Sequence, residues 1–537
     1  MTLTSFYFLV FLLGLIIIYY IIPKKFQWVL LLIASYTFYL ISGVAQVFFL
    51  LGTTIATYVS GILMQRRRDR YKTELASSEG LEKEQKQQMK KKMMSDVHRI
   101  QIITVIIHLA VLAIVKYSMF AFKNINSFFK VIGVSAKIPV NDLIQVWIIP
   151  LGISFYTFMA IGYIIDIGRG KYEAEKNFGK LALFLSFFPS VVQGPISRFD
   201  DVGKKLVEEH KLNYENLTFG AQLIMWGFFK KLVIADRISP LVASIFSVDM
   251  YEKLSGTTFF FGMIAYALQI YCDFSGGIDI TRGVAQMLGI ELPLNFERPY
   301  FATSVAEYWR RWHMTLGAWM KDYVFYAIML SKPISKLSKK VKAKYGQSAS
   351  KYIPSILTSF IVFVLMGIWH GANWRYVAYG LYNALLISGG LAIEPLVKKI
   401  NEKLHLSSKN FAWRLFQMLR TFLILGVAKL LVIAPSLKMA LKMLGKMFTN
   451  VNLSFHSEIM DNGFSLGYKN YIVLGVALLV VLTISILQEC GIHIRQSIGK
   501  WFIVFRWIMY LLMLIAIMVF GIYGPEYDAA NFIYQAY

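Results

Sequence analysis

The sequence predicts an all-α, polytopic membrane protein, and three observations carry that prediction. Hydrophobic residues make up 57% of the 537 residues and charged residues only 16%, with a mean hydropathy of +0.53; ordinary globular chains are far less apolar. Apolar runs long enough to cross the ~30 Å hydrocarbon core recur from end to end. The net charge of +25 gathers in the segments between those runs, as basic residues do in cytoplasmic loops. A soluble chain of this length would divide into several domains. Here residues 1–537 read as a single integral-membrane domain of a multi-pass membrane protein.

Taken in order, the expected spans are 5–22, 26–42, 44–64, 100–121, 143–166, 218–239, 256–274, 352–373, 375–394, 412–435, 470–488 and 500–523. The first, "SFYFLVFLLGLIIIYYII", lacks the basic start and small-residue cleavage site of a signal peptide and is expected to be retained. Residues 65–99 carry eleven Lys or Arg against six Asp or Glu and read as a charged cytoplasmic insert. Residues 331–351, with seven lysines and no acid, mark a second cytoplasmic segment. Counting spans outward from these places both termini outside.

Two segments do not fit a simple crossing. In 181–199, "LALFLSFFPSVVQGPISRF", Gln193, Gly194 and Pro195 interrupt the apolar run. Its length suits a re-entrant piece, which tolerates broken backbone only where protein or a wet cavity satisfies it. Residues 292–330 are too polar to span, yet "EYWRRWHMTLGAWMKDY" (307–323) is too aromatic to sit free in cytosol. Both are expected to line a recess entered from the cytoplasm. Since the positive charge is accounted for by cytoplasmic loops of a protein embedded in membrane lipid, no nucleic-acid partner is expected. Cys272 and Cys490 form no CxxC pair and suggest neither redox nor metal work.

Of eight histidines, His98, His210, His405, His456 and His493 fall in or beside loops and read as solvated. His108 lies in an apolar span and reads as packed or bonded to backbone. His370, in "FVLMGIWHGANWRYV", ends a strongly apolar helix. Ionisable groups at membrane depth cost about 2.5–3.5 kcal/mol and usually mark function. An interfacial place in an aromatic belt with Trp369 and Trp374 is the competing reading, and spacing does not choose between them. His313 precedes His370 in the charged aromatic stretch. Two histidines converging on one recess suit proton transfer. A metal pair lacks an HxxxH spacing and a third ligand, so no metal is expected. In "QIYCDFSGGIDITRG" (269–283), Phe274 to Gly277 are expected to break the helix and expose backbone N–H groups to an anion, with Asp273 and Ser275 beside them. Cys272 is assigned to packing.

The stretches "RWHMTLGAWMKDYVF" and "GIWHGANW" resemble the membrane-bound O-acyltransferase family. "PLGISFYTF", "FFPSVVQGPISR", "YCDFSGGIDIT", "LGIELPLNFERPYFATS" and the closing "NFIYQAY" extend the likeness to its alginate O-acetyltransferase branch. The resemblance implies about 11–12 transmembrane helices with re-entrant segments around a central tunnel. It implies transfer of an acyl group from a cytoplasmic thioester, acetyl-CoA or another, to a hydroxyl acceptor, with no bound cofactor. His370 matches the histidine treated as catalytic, and His313 matches one essential in this branch. Trp309 and Trp312 would wall the tunnel mouth, Arg310 and Arg311 would sit near donor phosphates, and Gln193, Asp273, Ser275, Trp369 and Asn373 would contact substrate. A second family histidine falls on Asn383, and "FYAIMLSKPISKLSKK" (325–340) is closer to the teichoic-acid D-alanyltransferases.

Three functions follow. The first is acetyl transfer toward an extracytoplasmic polysaccharide or peptidoglycan, finished by an acyltransferase or esterase-like partner. The second is D-alanyl transfer to teichoic acid from an aminoacyl carrier protein, which the lysines of 331–351 would dock. The third is a transporter whose polar recess only conducts. In the favoured chemistry His370 removes the acceptor's proton, and His313 or Asn373 stabilises the oxyanion.

Overall fold

The computed structural model describes residues 2–77, 82–135, 138, 150–407 and 410–523. The described residues are helical apart from turns and one isolated bridge, Phe296 to Trp312. Nine of the described helices are long and apolar enough to cross a membrane. The chain divides into two compact units: Met1–Gly220 with Thr281–Pro293, and Ala221–Ile280 with Leu294–Tyr537.

The first unit is built on α1 (Phe6–Ile21), α2 (Gln27–Ser42), α3 (Val44–Ser77), α4 (Lys83–Val131) and α5 (Ile153–Arg169). At 34 and 49 residues, α3 and α4 are about 51 and 74 Å long at 1.5 Å per residue. Both outrun the ~30 Å hydrocarbon core. The described residues of the charged insert form the polar, helical ends of these two helices. His108 on α4 meets Thr57 Oγ1 on α3 at 3.0 Å, a polar staple inside an apolar contact. Helix α5 is buried on nearly every face, and the beginning expected for it, 143–149, lies outside the described residues.

The broken segment 181–199 forms two short helices, α6 (Phe178–Ser186) and α7 (Phe188–Gln193). At nine and six residues each is roughly half the length a crossing needs or less. The chain turns at Phe187, where Phe188 N donates to Ser35 Oγ at 3.2 Å. His210 is not solvated, as its loop position suggested. Its Nδ1 meets Tyr19 Oη at 3.0 Å, and Gln27 bonds both its backbone N–H and its carbonyl.

Helix α8 (Tyr214–Phe228) leads into the second unit, through a π-turn (Phe229–Ala235), to α9 (Asp236–Ile245) and α10 (Gly256–Met287). The expected break at Phe274–Gly277 does not occur: α10 is continuous through it. Gly276 instead allows close approach, since a Cβ there would lie 2.9 Å from the Gly227 carbonyl oxygen on α8. Short helices α11 (Val305–Arg311), α12 (Met314–Trp319) and α13 (Tyr326–Met329) follow. The long α14 (Lys332–His370) and α15 (Trp374–Lys403) form a hairpin packed on α16 (Phe411–Ile433). The lysine-rich segment is the first part of α14, bent at Gly346 (φ 87°). Helices α17 (Leu437–Thr449), α18 (Phe455–Asp461), α19 (Tyr468–Glu489), α20 (Ile494–Gly499) and α21 (Ile503–Phe520) complete the unit. The closing "NFIYQAY" lies outside the described residues.

Candidate active site

His370 is the last residue of α14. The helix stops there because Gly371 turns extended (φ 171°) and Asn373 starts α15, its side-chain oxygen accepting from Arg375 N at 3.1 Å. The hairpin is tight. A Cβ on Gly367 would lie 2.4 Å from Gly380 Cα, and one on Gly371 would lie 2.4 Å from the Tyr376 ring. Only glycine permits this approach, and it seats His370, 5% exposed, edge-on to Trp369 (4.9 Å) and Tyr379 (5.3 Å). Glycine-mediated contact replaces bulky packing where two spans must lie close.

His313 sits at the corner between α11 and α12 in the left-handed region (φ 47°). Such a conformation is uncommon for a residue with a Cβ and persists where surroundings over-determine it. They do so here. Glu297 N donates to Arg311 O (2.9 Å) and Met314 N to Asn295 O (3.0 Å), clamping the corner from both sides. The Asn295 side-chain oxygen accepts from Thr315 N (3.0 Å) and Thr315 Oγ1 (2.9 Å), and stands 3.1 Å from His313 Nδ1. A backbone N–H can only donate, so that atom is the amide oxygen and Nδ1 is the protonated nitrogen. Nε2 is left as an acceptor. Burial, with His370 alongside, pushes the His313 imidazole down to about 3, so it is neutral at physiological pH. Phe274 closes one side edge-on at 4.9 Å, and the Trp369 ring lies at 6.3 Å.

A narrow cavity opens beside His370, with ≈ 30 Å³ open to water-sized groups. Its walls include Tyr308, Trp309, Trp312 and Tyr379, with Asn383 and Lys429 also in the lining. Asn383 stands where the resemblance led to a second histidine; it is buried and donates to the Tyr379 carbonyl at 2.9 Å.

Residues 175–434 match the MBOAT, membrane-bound O-acyltransferase family. These residues form a domain of this family. Among its relatives, "Probable alginate O-acetylase AlgI" of Pseudomonas syringae pv. tomato is 29% identical over 433 residues, 80% of this chain and 72% of that protein. The "Peptidoglycan O-acetyltransferase" of Helicobacter pylori is 28% identical over 369 residues, 64% of this chain and 63% of that one. The "Teichoic acid D-alanyltransferase" of Bacillus subtilis is 30% identical over 244 residues, 44% and 58% of the two chains. The protein is thus a multi-pass membrane O-acyltransferase.

In this acyltransferase the sequence-predicted residues scatter. His370, Trp309 and Trp312 line the cavity, and Trp369 and His313 stand behind it. Arg310 is exposed. Arg311 is engaged by Glu307 at 2.7 Å and Glu489 at 3.0 Å; Glu489 also takes Arg298 (2.8 Å) and Arg414 (3.0 Å). Asn373 is an exposed helix cap and does not line the cavity. Asp273 pairs with Lys231 at 2.7 Å and Ser275 accepts from Lys230 at 2.8 Å, inside a buried network with Asp236 and Asp279. Gln193 belongs to the first unit, where it is buried with neither amide atom hydrogen-bonded. Asn295 and Lys429 escaped the sequence reading. Asn295 gave no signal, but a lone lysine in "LGVAKLLVI" (425–433) is a charge inside a span, which by itself marks function.

Proposed function

We propose that this acyltransferase moves an acetyl group from a cytoplasmic thioester, acetyl-CoA, to hydroxyls of an extracytoplasmic polysaccharide or peptidoglycan, with an extracytoplasmic acyltransferase or esterase-like partner completing delivery. The observation that supports this reading best is the convergence of two buried histidines on Trp369, one of them lining an apolar cavity. The acceptor oxygen attacks the thioester carbonyl while His370 takes its proton. The C–S bond then breaks, and the leaving sulfur recovers that proton. His313, neutral and protonated on Nδ1, acts through its Nε2 lone pair as an acceptor that orients polar groups beside His370. It is the wrong tautomer to donate to an oxyanion. Tryptophan walls exclude water, which would otherwise hydrolyse the thioester. Arg310, being exposed, is the better placed of the two arginines to meet donor phosphates; Arg311 already holds two carboxylates.

D-alanyl transfer from an aminoacyl carrier protein is the second reading, favoured by the Bacillus subtilis relative and the basic start of α14. Purified full-length protein given radiolabelled acetyl-CoA and, separately, a D-alanyl carrier protein separates the two. His370→Ala should lose about 10²–10⁴-fold in rate, as expected for a general base, with unchanged insertion and thermal stability. His108→Ala, which removes the Thr57 staple, should lower stability and spare turnover. A stably folded His370→Ala protein working at half the wild-type rate would refute the mechanism.

A further inference from the structure

The mechanism leaves one charge without a task. Lys429 lies about one turn before the C-terminal end of α16, 6% exposed, and lines the same cavity as His370. Its ammonium stands 5.2 Å from the Tyr300 ring, 5.1 Å from Tyr308 and 5.6 Å from Trp312. Aromatic faces are negative and attract an ammonium. Its hydrogen bonding is poor: three N–H donors have one long contact, 3.5 Å to Tyr308 Oη. Among the described residues no carboxylate pairs with it, in contrast to Lys230 and Lys231, each held at 2.7 Å by an aspartate. A second donor in the lining, the indole N–H of Trp309, is buried without a partner. Buried donors are nearly always satisfied, and an ammonium far more so.

We infer that Lys429, with the Trp309 N–H of the same lining, is the oxyanion-binding group of the His370 cavity. The inference rests on the acyl-transfer reading above. As the acceptor oxygen bonds to the thioester carbon, the carbonyl π pair moves onto oxygen, and that negative charge receives hydrogen bonds from Lys429 and Trp309. No proton leaves the lysine; the acceptor's proton goes to His370. When the carbonyl re-forms, the C–S pair departs with sulfur, and the lysine is unchanged. The assignment fills a gap, because His313 presents an acceptor and Asn373 lies outside the cavity. A donor fixed in advance in a water-poor site is the arrangement that favours developing charge. A carboxylate carried by the acceptor would satisfy the same chemistry, and kinetics separates the two sources.

The test uses full-length protein in nanodiscs with whichever thioester the wild type accepts, acetyl or D-alanyl, and a neutral or a uronic-acid acceptor. Lys429→Met should lower kcat about 10²–10³-fold, the usual effect of removing one oxyanion donor, with KM for either acceptor unchanged. Lys429→Arg should recover part of the rate, and Trp309→Phe should lose less. Thermal unfolding is the second readout. If the lysine were merely structural, Lys429→Met would lower Tm; an ammonium kept for chemistry predicts an equal or higher Tm. A kcat within threefold of wild type overturns the inference. So does a loss confined to KM for the uronic-acid acceptor, which would make Lys429 a carboxylate anchor. Should the wild type use neither thioester, the functional reading fails instead. Acetate binding then decides for Lys429, followed by tryptophan fluorescence against neutral acetamide: acetate must bind the wild type and not Lys429→Met.

Discussion

Gly367→Ala tests whether the α14–α15 approach sets the position of His370. The added Cβ would stand 2.4 Å from Gly380 Cα, 2.6 Å from the Tyr376 carbonyl oxygen and 2.7 Å from Gly380 N. Unstrained carbon atoms meet at about 3.5–4.0 Å, so the helices must part by about 1 Å or more. None of the three atoms belongs to a flexible side chain that could swing aside. His370 is three residues further along the same helix, and Tyr379, which meets its ring edge-on, adjoins Gly380 on the other. The displacement therefore reaches the imidazole and its support together. A misplacement of about 1 Å can cost 10²-fold in rate, and overpacking costs about 1–3 kcal/mol in stability. The assay is acyl transfer by purified protein, with Tm measured in parallel. Gly389→Ala on α15 is the matched control, because nothing lies within 4 Å of its added Cβ; alanine in a helix there gains at most about 1 kcal/mol. If Gly367→Ala matches the control in both rate and Tm, the close approach does not position His370.

Three further outcomes are expected. Cysteines placed at 340 should resist impermeant labelling in intact cells and one at 460 should label; labelling at 340 from outside overturns the orientation and the donor side with it. Arg310→Ala should raise KM for the donor with kcat kept, whereas Arg311→Ala should lower Tm, because it releases Glu307 and one of the three arginines on Glu489; unchanged donor KM in both mutants removes the phosphate role. Burial opposes the charge on Glu458, but hydrogen bonds from Thr258, Ser255 and Asn452 outweigh it and hold its carboxyl below 4.5; its stabilisation is present above that value and lost as pH falls through the lower folded-state one, so Glu458→Gln should flatten the acid side of a Tm–pH profile.

What the sequence made legible is what periodicity and composition can carry. Long apolar runs located the spans, and the interrupted run at 181–199 falls on two short helices of nine and six residues. His370 stood out as a histidine closing an apolar helix beside glycine, but only the family resemblance chose a functional reading over an interfacial one. The errors share a cause. Phe274–Gly277 looked like a break because glycine frees the backbone locally, yet the pair serves a neighbour 49 residues away in sequence, Gly227 to Gly276, which no local pattern reveals. His210 looked solvated because its segment is polar, but Tyr19 and Gln27 reach it across more than 180 residues. Arg311 suggested phosphate until Glu489, 178 residues on, took it up. Partners distant in sequence decide the state of a polar side chain, and one chain read alone does not name them.

The charged aromatic stretch 307–323 is best understood as a device for holding His313 in an unfavourable backbone state. A left-handed residue with a Cβ costs about 1–3 kcal/mol, and the local sequence offers no glycine to relieve it. The corner is kept by bonds on both flanks: the Phe296–Trp312 bridge and the Asn295 amide inside, and the Arg311–Glu489 pair outside. Arg298, itself left-handed at φ 48°, joins the same carboxylate. One glutamate at the end of α19 thus holds strained Arg298 by its own guanidinium and the His313 corner by that of Arg311, two residues earlier. The two histidines are consequently held by different means. His370 is placed by steric approach of two glycine-bearing helices, and His313 by a hydrogen-bonded corner that also fixes its tautomer. Steric placement tolerates a change of charge on the imidazole, as a base that gains and returns a proton requires. A tautomer locked by an amide oxygen keeps its proton on Nδ1 and its lone pair on Nε2. The proposed mechanism gives proton transfer to His370 because His370 lines the cavity and His313 does not.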